Sequence, residues 1–195
     1  MKRFVLKNIN IRNFETTRLK DPKYIKPLSI KYEQNGVAKI WETVRSFDSV
    51  SVLLYHKDFD AYLVVKQFRP PVYLTDDKFS FTYELCAGIL DKNKPINQIA
   101  KEEIYEECGY SVNINKINKI NTFFSNVGVS GSKQHIYEAT IDESMKKHKG
   151  GGINDEFIEL EFIDRKDAKK FIFDEAKAKT SGLMFAFYWH MEDKL

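Results

Sequence analysis

Two glutamates fall where a helix of this chain should be apolar, and this placement constrains the fold more than any other feature. The segment 95–108, PINQIAKEEIYEEC, carries apolar residues at helical spacing and predicts one amphipathic helix. At about 100° per residue, Glu103 and Glu107 project into the middle of its apolar face, about 40° apart, with Glu106 at the edge. A solvated acidic face would instead place the acids opposite the isoleucines. Because carboxylates are rarely buried without a partner, the pattern predicts a cation between this helix and the core.

The composition agrees with a soluble globular protein, such as an enzyme, and the length suggests one domain with room for a small appended lobe. The chain has 195 residues, of which 43% are hydrophobic, and its net charge is only +3. Such a mixed charge favours neither nucleic acid nor a membrane surface as a partner. Cys86 and Cys108 have no metal-binding spacing and are interpreted as small buried thiols, with a disulfide as the less favoured alternative. No apolar run has the length of a signal peptide or membrane span, so a cytoplasmic location is expected.

The order of elements predicts a mixed sheet with helices packed on both sides. A hairpin over 28–46 should turn at Asn35-Gly36, a dipeptide typical of tight turns. Pro70-Pro71 should stop a strand. The other predicted strands span 4–14, 49–56, 61–69, 81–90, 133–141 and 157–164, and short helices are predicted over 165–173 and 181–191.

The segment 88–110 resembles the Nudix box, written G-x5-E-x7-R-E-U-x-E-E-x-G-U with U a bulky apolar residue. Seven positions fall in register: Gly88, Glu103, Ile104, Glu106, Glu107, Gly109 and Tyr110. Two positions depart from the pattern, because Lys94 replaces the first glutamate and Glu102 replaces the arginine. We expect these two to form one charge-swapped ion pair. The competing interpretation is that Glu102 is solvated and that Lys101 takes over the role of the arginine.

The resemblance covers nearly the whole chain and is strongest to the branch that hydrolyses nucleoside-diphosphate sugars. It implies an α+β fold, the Nudix α/β/α sandwich with a mixed sheet, and a small N-terminal β-lobe. We expect that lobe at 1–46, mediating a homodimer, and the hydrolase domain at 47–195. The branch also shares Q-F-R-P, seen at 67–70, E-x-x-A-G, seen at 84–88, and S-x-x-G, seen at 125–128. The strings ELCAG, EECGY and GVSGS resemble the UDP-sugar type.

The residues predict where a divalent metal and the substrate would bind. Carboxylates four residues apart on a helix supply neighbouring oxygens, which suits Mg²⁺, so Glu103 and Glu107 are the principal predicted ligands. Glu106 is expected as a further ligand and catalytic residue. The resemblance adds the carbonyl of Ala87 as a ligand, and Mn²⁺ is a possible substitute for Mg²⁺. Gly88 would let the backbone turn close to the metal and is also expected to contact the substrate.

Arg69 and Glu84 are predicted at the substrate. In the resembled branch the arginine of this motif contacts substrate, and a guanidinium suits phosphate through its fixed fork of donors. The alternative is that Arg69 only caps a strand. Glu84 is expected to face the site rather than solvent.

A general base is expected in the glycine-rich loop 149–156. The resemblance places the base immediately before the following strand, which is Glu156, with the neighbouring Asp155 as the alternative. Three glycines, 150–152, would give the loop freedom to move. The competing interpretation is an ordinary flexible linker that caps the strand.

The expected function is Mg²⁺-dependent hydrolysis of the diphosphate of a nucleoside-diphosphate sugar, of the UDP-glucose or ADP-ribose type, to a nucleoside monophosphate and a sugar phosphate. GDP-mannose or a dinucleotide is an alternative substrate. A non-catalytic Nudix-fold module that binds nucleotides or RNA is the alternative of a different class, because the box arginine is missing.

Overall fold

The architecture comes from a computed structural model, which describes residues 11–153 and 156–192. The strands within these residues are β1 (Lys26–Gln34), β2 (Val37–Arg45), β3 (Ser49–His56), β4 (Ala61–Gln67), β5 (Thr82–Glu84), β6 (Cys86–Ile89), β7 (Asn118–Ser125), β8 (Ser132–Ile141), β9 (Ile158–Asp164) and β10 (Ala178–Lys179). The α-helices are α1 (Pro70–Thr75), α2 (Ile96–Glu103), α3 (Ala168–Ile172) and α4 (Ser181–Glu192). Among the described helices, none is both long and apolar enough to cross a membrane.

β1 and β2 form a separate two-stranded antiparallel hairpin. Its turn residues, Asn35 and Gly36, both have positive φ, which matches the twist of tight hairpin turns. The hairpin touches the rest of the protein through the loop after β7. There the Val44 N–H donates to the Val129 carbonyl at 2.8 Å, and the Trp41 indole N–H donates to the Gly128 carbonyl at 3.0 Å. The predicted hairpin is therefore confirmed.

The remaining strands form one mixed sheet in the order β10-β5-β4-β3-β8-β7, with β9 paired to β4 and β6 paired to β3. β3 runs parallel to β8 and antiparallel to its other neighbours. Along its length β3 changes partner, because 49–52 pair with β6 whereas 54–56 pair with β4. The sheet therefore forks at the middle of β3.

Two apolar layers cover the two faces of the sheet. On one face, Val50, Val52 and Leu54 pack in a core with Ile99 and Ile104 of the helix that follows β6. On the other face, alternate strand residues pack against α3 and α4, in a core that contains Leu53, Tyr62, Val64, Phe171, Leu183 and Phe187. This alternation is the period of two that strands impose on side chains. The fold is the predicted α+β sandwich of helix, mixed sheet and helix.

Several predicted elements have different bounds. Residues 11–14 form no strand and are mostly exposed, and the rest of the predicted strand at 4–14 lies outside the described residues. The strand predicted over 81–90 is interrupted at Leu85, because β5 pairs with β4 whereas β6 pairs with β3. The strand predicted over 61–69 ends at Gln67, and Pro70 begins α1, where proline lacks only a hydrogen bond that the first turn does not make.

The helix predicted over 95–108 is continuous, but its first part is α-helical and its last turn is π-helical. The α-helix ends at Glu103, and a π-helical turn follows over Ile104–Cys108 before Gly109 takes a left-handed conformation. Single π turns inside helices are frequent at functional sites. Glu103 is the last α-helical residue and Glu107 lies within the π turn, so the change of helix type occurs between the two carboxylates.

Candidate active site

A cavity of about 520 Å³ lies beside the fork of the sheet. It gathers side chains from five strands, α2, the π turn and the loop before β9. Its lining includes the predicted site residues Arg69, Glu84, Ala87, Gly88, Glu103, Glu107 and Glu156. Residues more than 80 positions apart in the chain are thus brought together, as the sequence predicts.

Glu106 does not line this cavity. It is half-buried and lines a smaller neighbouring cavity together with Lys101 and Glu102. Its charge nevertheless reaches Glu103, because it is one of the causes that raise the pKa of the Glu103 carboxyl. A role for Glu106 as a ligand or catalytic residue stays a prediction.

Glu107 is a buried carboxyl group, with only 5% of its surface exposed. Its Oε2 accepts a hydrogen bond from the Ala87 backbone N–H at 3.0 Å. The pKa of Glu107 is raised to about 8, mainly by burial; the Ala87 N–H lowers it, and the charge of Glu103 raises it. The apolar packing around the π turn thus makes the ionised form costly.

The Glu103 carboxylate lies next to Gly88 of β6. A Cβ on Gly88 would overlap the Glu103 carboxylate, so only glycine leaves room for this approach. Burial raises the pKa of Glu103 to about 7, with a further contribution from the charge of Glu106. Lys92 acts in the opposite direction.

The two carboxylates fit a divalent cation. Both supply hard oxygen donors, and both have raised pKa values because the groups that favour their ionised forms do not offset their burial. In the described part of the chain, no group of three or more His, Cys, Asp or Glu side chains is arranged to hold a metal. A cation here would therefore complete its coordination with backbone carbonyl groups, water or substrate phosphate, as Mg²⁺ commonly does.

Arg69 and Glu84 form a two-point ion pair at the wall of the cavity. The Arg69 Nε and one terminal nitrogen each donate to a Glu84 carboxylate oxygen at 2.7 Å. These hydrogen bonds raise the pKa of Arg69. Glu84 is 7% exposed, so its charge is buried with its partner. Arg69 also occupies the position before α1 and makes no side-chain capping bond to that helix. Its role at the substrate stays a prediction.

The glycine-rich loop brings Glu156 to the cavity. Glu156 is exposed, and its Oε2 accepts from the Ile153 N–H at 3.0 Å. All three glycines have positive φ, and the Gly151 N–H donates to the Glu107 carbonyl at 2.8 Å. A Cβ on Gly150 would overlap that same carbonyl. The glycines thus anchor the loop on the helix that bears the carboxylates, in addition to any freedom they give it. Asp155 lies outside the described residues.

The two residues that depart from the Nudix box pattern, Lys94 and Glu102, form an ion pair. Lys94 Nζ contacts both carboxylate oxygens of Glu102, at 2.8 and 2.9 Å, and the Gln98 amide donates to the same carboxylate at 3.0 Å. The expected charge-swapped pair is therefore present. It ties the loop after Gly88 to α2, one residue before Glu103. Among the described residues, Lys101 forms no ion pair.

Several lining residues were not predicted. Tyr24 comes from the segment before β1, and Gln134 of β8 donates through its amide to the Ser51 hydroxyl at 3.0 Å. A signal existed for Ser49 and Ser51, because these two serines alternate with valines at the start of a core strand. For Tyr24 no local pattern distinguishes the residue.

The sequence of the chain is similar to those of named pyrophosphatases. The chain is 30% identical over 194 residues to "Uridine diphosphate glucose pyrophosphatase NUDT14" of Bos taurus, with 85% of this chain and 87% of the relative covered. The Mus musculus protein of the same name is 29% identical with the same coverage. "GDP-mannose pyrophosphatase" of Pectobacterium atrosepticum is 34% identical over 140 residues, with 71% of this chain and 69% of the relative covered.

No family model matches the chain. The pairwise relatives nevertheless span most of its length, and three matching residues of the box, Gly88, Glu103 and Glu107, line the cavity. On these relatives, this sandwich and this carboxylate helix, the chain belongs to the Nudix hydrolase family.

Proposed function

We propose that the protein hydrolyses the diphosphate bond of a nucleoside-diphosphate sugar, releasing a nucleoside monophosphate and a sugar phosphate. The observation that supports this most strongly is the joint placement of Glu103, Glu107 and Arg69 at one cavity. An acidic pair that attracts a divalent cation, beside a guanidinium that suits phosphate, matches the charge pattern of a metal-bound diphosphate.

Glu103 and Glu107 would hold the metal, with the Ala87 carbonyl as a further ligand. Glu106 would join them only if its side chain moved from the neighbouring cavity. Mg²⁺ is the proposed ion because carboxylate, carbonyl and water oxygens are its preferred ligands, and Mn²⁺ would be a substitute. When bound, the ion would neutralise the diphosphate and lower the pKa of a coordinated water.

Arg69 would bind and orient the diphosphate. Glu84 uses two of the five Arg69 N–H groups, and within the described residues the third guanidinium nitrogen has no hydrogen-bond partner, so both of its N–H groups are available for a phosphate oxygen. Glu84 fixes the plane of the guanidinium before substrate arrives. That reduces the conformational entropy lost on binding.

Glu156 would act as the general base. It would accept a proton from the attacking water, whose oxygen bonds to one phosphorus while the bond from that phosphorus to the bridging oxygen breaks. Its exposed position on a loop permits this carboxylate to approach the water when substrate is bound. Asp155 remains the alternative base.

The nucleotide sugar is a UDP-glucose or ADP-ribose type in this proposal, and GDP-mannose is the nearest alternative. The names of the relatives include both UDP-glucose and GDP-mannose. The non-catalytic alternative rests on the missing box arginine. The Lys94–Glu102 pair weakens that alternative, because it ties the loop to the helix at the same place in the box.

A turnover panel tests the proposal. UDP-glucose, ADP-ribose and GDP-mannose would be incubated with the protein in Mg²⁺, in Mn²⁺ and in EDTA, and nucleoside monophosphate would be separated by chromatography. We expect metal-dependent release from at least one of the three, together with the matching sugar phosphate. Binding of all three without release would favour the non-catalytic alternative.

We further propose a cytoplasmic homodimer assembled through the lobe at 1–46. The β1–β2 hairpin exposes a set of large apolar side chains, each between 46% and 65% exposed: Leu28, Ile30, Val37, Ile40 and Trp41. By the strand register, Leu28, Ile30, Val37 and Trp41 lie on one face of the hairpin and Ile40 on the other. Exposed apolar side chains that share a face are typical of protein interfaces.

A further inference from the structure

A second cavity, of about 550 Å³, adjoins the candidate active site. Tyr24 lines both cavities. Consecutive residues also line the two cavities: Ile89 lines the candidate active site, and Leu90 lines the second cavity. On β8, Gln134 lines the first and Ser132 the second. Residues two apart on a strand share a face at about 7 Å, so the second cavity begins about one sugar ring away from the first.

The second cavity carries the opposite charge from the first. Lys23, Lys26 and Arg45 line it, and its only lining carboxylate among the described residues is Asp48. Asp48 is already engaged, since its Oδ1 accepts the Lys133 backbone N–H at 2.7 Å. In the described part of the chain, none of the three cations takes part in an ion pair. The cavity thus has an uncompensated positive charge.

Two of these cations are held close together by the hairpin. Lys26 and Arg45 are direct cross-strand partners at the open end of β1 and β2. Like charges directly opposite each other destabilise an antiparallel pair. An anion between them would relieve this repulsion, so the arrangement favours a negatively charged ligand over an empty surface.

The rest of the lining suits a polar anionic group attached to a ring. Ser130 and Ser132 lie with their hydroxyl oxygens 3.2 Å apart, and Gly131 between them has positive φ. Hydroxyl groups of this kind can donate to a carboxylate or phosphate. Tyr24 and Phe47 add aromatic surface at the same cavity, against which a sugar or base can pack.

We propose that this basic cavity is a second anion subsite of the active site, which binds a carboxylate or phosphate that the nucleotide sugar carries in addition to its diphosphate. This proposal rests on the proposed function and narrows its substrate class. A nucleotide sugar with its diphosphate at Glu103, Glu107 and Arg69 would extend past Tyr24. Its extra anionic group would then lie between Lys26 and Arg45, with Lys23 at the rim.

Two pairs of substrates test the subsite, because the members of each pair differ mainly by one anionic group. UDP-glucose and UDP-glucuronic acid differ at the sugar, and ADP-ribose and its 2′-phosphate differ at the nucleoside. We expect the wild-type protein to have a KM lower by roughly tenfold for the anionic member of one pair, as for one charge-assisted hydrogen bond gained. The pair that shows the preference identifies where the anionic group lies.

Lys26→Gln and Arg45→Gln should each remove most of that preference and leave kcat/KM for the neutral member unchanged. Lys31→Gln is the matched control, since Lys31 is an exposed lysine of the same strand that lines neither cavity. A wild-type protein that prefers neither anionic member, or variants that keep the preference, would overturn the subsite.

The subsite and the hydrolase proposal can fail separately. If the wild-type protein turns over neither pair, the proposed function fails, and calorimetric binding of the same four compounds to wild type and Arg45→Gln decides the subsite alone. Tighter binding of an anionic member that Arg45→Gln weakens would support it. Equal binding of both members in both pairs would overturn it.

Discussion

Replacing Glu107 by glutamine should stabilise the metal-free protein at high pH while removing most of its activity. The substitution keeps the shape of the side chain, and the amide oxygen can still accept the Ala87 N–H that Glu107 now accepts at 3.0 Å. What it removes is a buried carboxyl group whose pKa is raised to about 8. It also removes a charge that the proposed metal site needs.

The size of the expected change in the free energy of unfolding follows from the linkage between protonation and folding. The pKa of Glu107 is about 8 in the folded state and 4.5 in the reference state, so the folded protein holds this proton more tightly than the unfolded chain. Its favourable contribution is fully present below pH 4.5 and is lost as the pH rises through about 8. At 1.36 kcal/mol per pKa unit, the variant should gain about 3 kcal/mol relative to wild type between pH 5 and pH 8.

The assay is urea unfolding of both proteins in EDTA at pH 5 and pH 8, with turnover measured separately in Mg²⁺. The change between the two pH values isolates the titration, because any cost of placing an amide in the site is the same at both. Glu33→Gln serves as control, since Glu33 is an exposed residue of β1. A stability difference that does not change with pH would show that Glu107 is not a buried group with a raised pKa, and full turnover by the variant would exclude Glu107 as a metal ligand.

Three further outcomes are expected. Glu156→Gln should lower kcat strongly with little change in substrate binding, as for a group acting mainly in the transition state; near-normal kcat with an inactive Asp155→Asn would assign the base to Asp155. Lys94→Ala and Glu102→Ala should each weaken Mg²⁺ affinity, and the loss in the double variant should be smaller than the sum of the two single losses. The exchange Lys94→Glu with Glu102→Lys should restore the affinity. Additive losses would show that the pair has no role at the site. Small-angle scattering at micromolar concentration should give the mass of a dimer, and a monomer would contradict the proposed role of the N-terminal lobe.

Much of the site could be predicted because its key residues follow local rules. The period of an α-helix places Glu103 and Glu107 on the apolar face, and the structure buries Glu107 and half-buries Glu103. The spacing of the box also identified Lys94 and Glu102 as the two positions that depart from the motif, and these residues form an ion pair. Turn chemistry at Asn35-Gly36 predicted the hairpin for the same reason.

The rest could not be predicted because it depends on contacts distant in sequence. The break at Leu85 follows from a change of partner strand, from β4 to β3, which no local pattern encodes. Gln134 reaches the cavity only because β8 lies parallel to β3. Likewise, Arg45 becomes part of a basic cavity only when the hairpin packs beside the loop after β7.

The roles of Glu103 and Glu107 in metal-dependent hydrolysis can be tested by comparing wild type with the double variant Glu103→Gln/Glu107→Gln. The assay measures release of UMP and glucose 1-phosphate from UDP-glucose in Mg²⁺, with GDP-mannose and ADP-ribose in parallel. We expect metal-dependent release from one of these substrates by wild type. The double variant should be folded, at least as stable as wild type in EDTA, and should release almost none. Undiminished release by the double variant would contradict the assignment of these two carboxylates as the metal ligands.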